Sequence, residues 1–538
     1  MPQLAKLGRL AKKNWILLLI IIFYLLTVFY NFTAQGLVNW DESYFAVVVR
    51  TFDQIIKTAF THPLALFQAN FFSELRNNYG NVYTVAKPSY LIAASILGLI
   101  WPSQLALRLL SVLSGFGVLL IFYRLTGHYQ LDKKIRLAAT FLLAASPLFL
   151  LYSRLGLAPM FSAFFLLVAL EQLLRFEKFS RLKNLVVSGF ASAILLLSHY
   201  STFIIVGIIL LFGLFYLYRK KSGAKNYFIY LVSFLSLPLV WQIISGSDAY
   251  LASRLGIFST HGRFGAWSYA QEFFNQLKIN GNGADSFSFS QPGYYFQLIW
   301  SMEGLIFFLL LLLGAAFFLR NARKPEYQLI VASGGIFLLT LIAAWEKYPR
   351  TVMPIFPLGY LLAGVALAWL GRKFFLLGQG VFWQKIFIAV ICLAIFLSHL
   401  SYYPRIIFLQ TPFADMAAFI QKNYAADKTL LLTANAPLWR IYLPGYAVEQ
   451  IDSRADWEKI APGKTILVTD DYFNWTVKAN DSSLNYSSRK ILQAGQDNVF
   501  ALRPVIEDLV YMDRAKMDQL ISDNLDRKDI LYEVTLLQ

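Results

Sequence analysis

The sequence is poor in charged residues and in cysteine, and both deficits exclude classes of protein. Only 15% of its 538 residues are charged, against about 25% in soluble proteins. Apolar residues make up 57% of the chain, so most of it does not divide into soluble domains as its length alone would allow. The one cysteine, Cys392, lies inside an apolar run and forms no intrachain disulfide.

Acidic residues are also scarce, with 31 against 48 basic ones, which gives a net charge of +17. Division at Pro404 leaves 33 basic and 13 acidic residues before it, and 15 basic and 18 acidic residues after it. The positive excess therefore belongs to the apolar part, and we expect no nucleic-acid partner. The sequence contains no glycine-rich nucleotide loop, no metal-spaced Cys/His cluster and no G-x-S-x-G.

What the chain does have is a series of long apolar runs separated by short basic clusters. This pattern is typical of a polytopic α-helical membrane protein. If the basic clusters all face the cytoplasm, the positive-inside rule predicts about eleven transmembrane helices. The predicted spans are 15–32, 104–123, 137–152, 157–174, 184–198, 201–218, 226–244, 297–319, 327–345, 351–370 and 383–400.

The topology leaves two large loops on the outer face. The basic N-terminus lacks a small-residue cleavage site, so we predict a retained first helix with a cytoplasmic N-terminus. Ser89–Trp101 is too short to cross a core about 30 Å thick and is predicted to be interfacial or re-entrant, which makes 33–103 one outer loop. Within it, Ile55–Phe60 and Leu64–Phe72 resemble membrane-surface helices. The second outer loop is 245–296.

The character of the sequence changes near residue 404. We predict a transmembrane domain over 1–403 and a soluble extracytoplasmic α/β domain over 404–538. The evidence is a helix-like stretch from Thr411 to Tyr424, with Pro412 in its first turn, followed by short β-prone and helical patterns. The β-prone runs are 429–433, 465–469 and 499–504, and the helical patterns are 455–460 and 511–525.

The main polar feature outside the first helix is the segment Asn39–Tyr44, which contains Asp41 and Glu42. One interpretation is structural: Asp41 caps the following surface helix and Glu42 complements its dipole. The other makes Asp41 a general base, or a metal ligand, at the boundary between water and lipid.

Six segments of the chain form a series with a consistent predicted topology. They are DESYFAVVVR after the first helix, KPSY (87–90), ALRLLSVLSG (106–115), SPLFLLYSRLGLAPMFSAFFLLVAL (146–170), LLLSHYSTF (195–203) and KYPRTVMPIFPLGYLLAG (347–364). With these segments in this order, residues 15–400 resemble the GT-C glycosyltransferases, specifically the group that includes protein O-mannosyltransferases and the lipid A aminoarabinose transferase. Two departures are Pro159, where relatives often have an acidic residue, and Lys-Pro-Ser at 87–89, where a double proline is commoner.

The resemblance implies inverting transfer of a sugar from a polyprenyl-phosphate carrier to an acceptor hydroxyl, with Asp41 as the base. Adjacent side chains on a helix point apart, so Glu42 is expected to be an orienting or acceptor contact. The leaving phosphate needs fixed positive charge. The candidates are Arg350, Lys347, Arg154 and Lys87, although snorkelling to the headgroups explains each of them as well.

Three further polar residues are not assigned to the donor site. His199, at an outer turn, is predicted to be structural. Some relatives bind a divalent metal ion, but no metal site is assigned, and Glu74 and His261 are interpreted as solvated residues.

The expected partners are a polyprenyl-phosphate-linked sugar, membrane lipids and an acceptor that is a protein, a lipid or a cell-wall glycan. The expected location is the plasma membrane. A lipid-linked glycan transporter or flippase is the rival hypothesis from another class. Such proteins usually carry ionisable groups at mid-membrane, whereas Glu171 and Glu303 of this sequence lie near the ends of predicted helices. A polysaccharide polymerase or ligase is the second rival.

Overall fold

The computed structural model describes most of the apolar part of the chain and the framework of the C-terminal part. The described residues are 2–38, 40–67, 87–255, 292–344, 348–374, 380–433, 435–450, 465–469, 486–496, 502 and 528–536.

The first part of the chain, up to residue 407, is helical throughout its described segments. Its helices are α1 (Pro2–Phe29), α2 (Trp40–Thr61), α3 (Pro88–Gly98), α4 (Ser103–Leu125), α5 (Lys133–Ala144), α6 (Pro147–Arg154), α7 (Pro159–Phe179), α8 (Leu182–Leu196), α9 (Phe203–Arg219), α10 (Ala224–Leu255), α11 (Tyr294–Glu303), α12 (Leu305–Arg320), α13 (Pro325–Ile330), α14 (Phe337–Ala343), α15 (Pro349–Val352), α16 (Phe356–Phe374), α17 (Gly380–His399) and α18 (Tyr403–Ile407).

Each of the eleven predicted spans coincides with a helix or a pair of consecutive helices. Within the described residues, six helices are long and apolar enough to cross a membrane, and the bent pair α5–α6 would make a seventh. Four further apolar helices are shorter. The prediction of a polytopic helical protein is therefore confirmed, whereas the count of eleven and the inward position of the N-terminus remain predictions.

Four of the predicted spans are interrupted where the sequence pattern indicated one continuous helix. The 137–152 span bends by 55° between α5 and α6. The 297–319 span breaks at Gly304, whose φ of +86° favours glycine. The 351–370 span divides into α15 and α16, and 327–345 contains a π-helical segment between α13 and α14. The bend between α5 and α6 lies at Ser146, whose hydroxyl donates to Glu303 of α11 at 2.8 Å, and hydrophobicity does not report such a contact.

The described part of the first predicted outer loop contains a long helix and a short one. α2 is one continuous helix of 22 residues, so the predicted surface helix Ile55–Phe60 is its second half. α3 has 11 residues, in agreement with an element too short to span. Residues 68–86 lie outside the described part, and so does 256–291, which is most of the second predicted outer loop.

The C-terminal part is an α/β arrangement around one mixed sheet. Its elements are α19 (Phe413–Asn423), α20 (Ala436–Tyr442), β1 (Thr429–Thr433), β2 (Ala447–Gln450), β3 (Thr465–Thr469), β4 (Tyr486–Gln496) and β5 (Lys528–Leu536).

The strand order is β2-β1-β3-β5-β4. β1 pairs in parallel with β2 and β3, and Leu431 lies opposite both Val448 and Leu467. β5 runs antiparallel to β3 and β4. The α/β class and the strands at 429–433 and 465–469 are confirmed, while the helices predicted at 455–460 and 511–525 and most of the run 499–504 lie outside the described residues.

The C-terminal part is tied to the segment that leads into α2. The amide of Thr411 donates to the carbonyl of Gln35 at 3.1 Å, and the Leu37 amide donates to the Tyr442 hydroxyl at 3.1 Å. Gly36 lies between them with φ +68°, and a Cβ there would stand 2.2 Å from Oγ1 of Thr411. These contacts fix where α2, and so Asp41, begins.

Candidate active site

Asp41 lies in the first turn of α2 and forms ion pairs with two cations from distant parts of the sequence. Its Oδ2 accepts a hydrogen bond from the Arg350 guanidinium. The Lys87 ammonium lies 4.0 Å from the same oxygen. The structure thus brings together three of the residues that the sequence analysis singled out: one carboxylate and two cations.

Proline and aromatic residues position both cations. Arg350 follows Pro349 in the first turn of α15, and its guanidinium carbon lies 4.7 Å from the ring centroid of Tyr348. Lys87 precedes Pro88, the first residue of α3, and its ammonium lies 4.2 Å from the ring centroid of Phe45. Such cation–π contacts hold a charge in place without neutralising it.

The site is recessed, and its carboxylate has the largest exposed fraction of the three side chains. The exposed fraction is 20% for the Asp41 side chain, 13% for Arg350 and 8% for Lys87. Burial acts to raise the pKa of Asp41, but the charges of Arg350 and Lys87, with the Arg350 hydrogen bond, outweigh it and hold the pKa below its ordinary value. Asp41 is therefore ionised in this arrangement.

His199 lies close enough for both cations to affect its titration. Burial, and then the charges of Lys87 and Arg350, hold its pKa well below the ordinary value. Its Nδ1 accepts a hydrogen bond from the Ser201 amide at 3.2 Å, so the neutral ring carries its proton on Nε2. The sequence analysis predicted a structural histidine and did not anticipate that His199 lies close to Lys87 and Arg350.

The start of α3 is held against the end of α8 by Ser89. Its amide donates to the carbonyl of Leu197 at 3.2 Å, and its hydroxyl donates to the carbonyl of Ile194 at 2.9 Å.

Glu42 points away from Asp41 and is fully buried, as adjacency on a helix requires. Its Oε1 accepts from Nε of Arg108 at 2.9 Å and from the Gly156 amide at 2.8 Å, and Oε2 accepts from the Val38 amide at 2.9 Å. A Cβ on Gly156 would approach Glu42 Oε1 to 2.9 Å, so the glycine is what permits this contact. The prediction of an acceptor contact does not fit a side chain with no exposed surface, whereas an orienting role does.

The expectation that Arg154 holds the donor phosphate does not fit the geometry either. The residue is fully buried, and its guanidinium is already surrounded by acceptors because it closes the C-terminal end of α1. The acceptors are the side chain of Gln35 (3.2 Å) and the carbonyls of Thr27 (3.2 Å), Val28 (3.0 Å), Tyr30 (2.7 Å) and Ile407 (3.3 Å). Lys347 lies outside the described residues.

A second polar cluster, in which several groups surround the Glu303 carboxylate at the end of α11, was not recognised from the sequence. Glu303 accepts from the Ser146 hydroxyl at 2.8 Å, the Leu148 amide at 3.3 Å and the Tyr360 hydroxyl. Nε2 of His399 lies 3.2 Å from its Oε2. The one signal in the sequence was an acidic residue near a predicted helix end, and nothing in the spacing indicates its partners.

The described residues do not provide a metal-binding arrangement. No three histidine, cysteine, aspartate or glutamate side chains come together among them, and Glu74 and His261 lie outside that part of the chain. Among the described residues, Asp41 lies next to two cations, whose charges oppose a divalent ion. This part of the donor set therefore does not fit a metal ion.

Comparison with known proteins places this geometry within a known fold. No protein-family model matches the sequence, and no curated protein matches it either. The apo oligosaccharyltransferase of Archaeoglobus fulgidus is similar with a TM-score of 0.57 and 14% identity, over 86% of this chain and 70% of that one. ArnT from Cupriavidus metallidurans bound to undecaprenyl phosphate is similar with a TM-score of 0.59 and 14% identity, over 89% of this chain and 97% of that one. The chain therefore has the GT-C fold of these membrane proteins.

Proposed function

We propose that this protein is an integral-membrane inverting glycosyltransferase. It moves a sugar from a polyprenyl-phosphate donor to an acceptor hydroxyl on the outer face of the membrane. The observation that carries the proposal is the ion-paired but partly exposed Asp41, held between Arg350 and Lys87. The fold supports it, because one similar structure is an oligosaccharyltransferase and another, ArnT, was solved with undecaprenyl phosphate.

The two cations suit the phosphate of such a donor. An arginine can hold a phosphate through two parallel hydrogen bonds, and a lysine adds a point charge. In the free protein, the Asp41 carboxylate takes the place of the donor phosphate next to the two cations. When the donor phosphate takes over Arg350 and Lys87, Asp41 loses the charges that lower its pKa, so donor binding itself makes the carboxylate a better base.

The transfer step then follows in one displacement. The acceptor oxygen attacks the anomeric carbon from the face opposite the phosphate, and its proton passes to Asp41. The bond between the anomeric carbon and the phosphate oxygen breaks, and its electron pair stays on the carrier phosphate. Arg350 and Lys87 stabilise the charge that accumulates there. Among the described residues Asp41 is the accessible carboxylate of the site, and one base is what a single displacement with inversion requires.

Other buried residues act through position. Glu42 joins the start of α2 to α4 and to the α6–α7 connection through Arg108 and Gly156. Arg154 joins the end of α1 to the segment that leads into the C-terminal domain. Both are positioning residues in this proposal, and no step passes through a metal ion.

The location, the orientation, the sugar and the acceptor belong to the same proposal. The protein lies in the plasma membrane with its N-terminus in the cytoplasm, and the domain over 404–538 lies outside, next to the donor site. The donor carries a hexose or a pentose. The acceptor is a hydroxyl of a protein, a lipid or a cell-wall glycan.

The test is release of carrier phosphate by the purified full-length protein in lipid nanodiscs. The substrates are a panel of radiolabelled polyprenyl-phosphate sugars, with membrane extract as the acceptor source. Wild type is compared with Asp41→Asn and with Asp415→Asn, a matched change at an exposed position of α19. Release from one donor by wild type and Asp415→Asn, but not by Asp41→Asn, supports the proposal. If no donor is consumed, or if Asp41→Asn releases at the wild-type rate, the proposal is wrong and transport becomes the better hypothesis.

A further inference from the structure

A second polar cavity lies farther along α2, away from Asp41. Its volume is about 370 Å³, which is within the range of small-ligand pockets. Three parts of the fold meet there: the middle of α2, the connection between α3 and α4, and Ile441 of α20. From Asp41 to Asp53, α2 runs for about 18 Å at 1.5 Å per residue, so this cavity is separate from the donor site.

Asp53 gives the cavity an unsatisfied hydrogen-bond acceptor. Its side chain is only 10% exposed, and Oδ2 accepts from the Lys57 ammonium at 2.8 Å. Its Oδ1 is buried and has no hydrogen-bond partner among the described residues. A buried carboxylate oxygen without a donor costs free energy, and a ligand hydroxyl in the cavity recovers it when the Asp53 side chain turns this oxygen toward the cavity.

The residues that line the cavity carry charges of both signs, with Asp53 opposite Lys57 and Arg50. An anion would meet the Asp53 carboxylate, of which Lys57 covers one oxygen only. A cation would meet Lys57 and Arg50, whose guanidinium lies near the Ile441 carbonyl at 3.4 Å. A neutral ligand that both donates and accepts hydrogen bonds fits the mixture.

The other lining residues match the surface of a sugar ring. Gln54, Ser103 and Gln104 supply donors and acceptors. Trp101 lines the same cavity and is 42% exposed, which leaves indole surface for the C–H face of a ring. A carboxylate, amides, a guanidinium and an indole around one small cavity are the groups that hold polyhydroxylated rings.

We propose that this cavity binds a neutral sugar ring that belongs to the acceptor. The acceptor is then a glycan or a glycolipid. The cavity binds one of its sugar rings while a hydroxyl of another part of the acceptor reaches Asp41. The binding of a sugar follows from the cavity alone, and its assignment to the acceptor rests on the proposed glycosyl transfer. Ile441 makes the C-terminal domain one wall of this specificity site.

The experiment is saturation-transfer NMR on the full-length protein in nanodiscs. The probes are the methyl glycosides of mannose, glucose, galactose and arabinose, with glycerol 1-phosphate as a lipid-headgroup probe. The variants are Asp53→Ala, Asp53→Asn and Trp101→Ala. Asp415→Ala and Trp300→Ala are the matched controls, since both positions are exposed and outside the cavity.

We expect saturation transfer to at least one glycoside. The affinity falls by roughly tenfold or more in Asp53→Ala, because a hydrogen bond to a charged group is lost, and it falls also in Trp101→Ala. Asp53→Asn and Trp101→Ala carry the test if Asp53→Ala does not fold. Asp41→Asn keeps this binding, which separates the failure of this proposal from the failure of the proposed reaction. Binding that is absent, insensitive to both positions, or confined to glycerol 1-phosphate overturns the proposal.

Discussion

Asp41 and Glu303 are both carboxylates at breaks between helices, but their surroundings differ. Glu303 has no exposed surface, and hydroxyl, amide and imidazole groups surround both of its oxygens. Its histidine partner is equally enclosed, because Nδ1 of His399 faces the carbonyl of Ala145 at 3.1 Å. Asp41 is 20% exposed and is neutralised by two cations from elements far apart in the sequence.

The difference indicates two roles for buried charge in one membrane protein. A closed network, in which every polar atom has a partner, fixes helix ends and leaves nothing for a ligand. Glu303 does this for α6, because it accepts hydrogen bonds from the Leu148 amide in the first turn and from the Ser146 hydroxyl. An open cluster with an accessible carboxylate and two cations can exchange one anion for another. We therefore assign structure to the first cluster and chemistry to the second.

The largest expected effect is that of Asp41→Asn on turnover. An amide cannot accept the proton of the acceptor hydroxyl, so kcat should fall by about 10²–10⁴-fold. The thermal midpoint of unfolding in detergent should stay close to that of wild type, since the position is partly exposed. Initial rates with a saturating donor measure the first effect. Turnover within a few-fold of wild type would remove the distinction between the two clusters.

Arg350→Gln should weaken donor use and also change the pH profile. Loss of a charge-assisted phosphate contact of about 1.5–3 kcal/mol lowers kcat/KM by roughly tenfold to a hundredfold. The pKa of Asp41 is lowered by Arg350, so its removal raises that pKa, and the acid limb of kcat/KM moves to higher pH. Rates measured from pH 4 upward in both proteins test this sign. A limb that stays in place or moves to lower pH contradicts the pairing.

Glu303→Gln should have the opposite outcome to Asp41→Asn. The amide group would present donors to the Tyr360 hydroxyl and to His399, which leaves buried groups unsatisfied at about 1–3 kcal/mol. We expect a lower thermal midpoint and an unchanged kcat for each folded molecule. Asp415→Asn is the matched control. A loss of kcat without a loss of stability would assign chemistry to the closed cluster as well.

Lys87→Met should give the smallest change. Its ammonium lies 4.0 Å from Asp41, beyond direct hydrogen-bond distance, and methionine preserves much of the contact with the Phe45 ring. We expect kcat/KM for the donor to fall several-fold, roughly 1 kcal/mol, with kcat less affected. A larger fall in kcat/KM than in Arg350→Gln would show that Lys87 contributes more to donor use than Arg350, contrary to this prediction.

The sequence predicted the helical segments and the cluster of Asp41, Lys87 and Arg350 to different extents. Long apolar runs located helices at the eleven predicted spans, because burial in lipid requires such runs. It did not locate the breaks at Gly304 or between α5 and α6, which depend on contacts between distant helices. Asp41, Lys87 and Arg350 came from a family resemblance and from their positions at helix ends, and the structure brings them together.

Residues far apart in the sequence account for most of what was missed. Arg154 has the same residue type and the same helix-end position as Arg350, yet it bonds to backbone carbonyls within the protein. Its partners lie more than 100 positions away, so no local pattern separates it from a phosphate ligand. The same holds for Asp53, which local sequence describes only as the partner of Lys57 four residues on.

The central claim is that Asp41 and the donor phosphate use the same two cations in turn. The most direct test compares the acid limb of kcat, which reports the enzyme–donor complex, with that of kcat/KM, which reports the free enzyme. Because the bound phosphate engages Arg350 and Lys87, we predict a higher acid pKa in kcat than in kcat/KM. Equal values, or a lower value in the complex, would contradict the exchange and leave Asp41 as a fixed partner of Arg350.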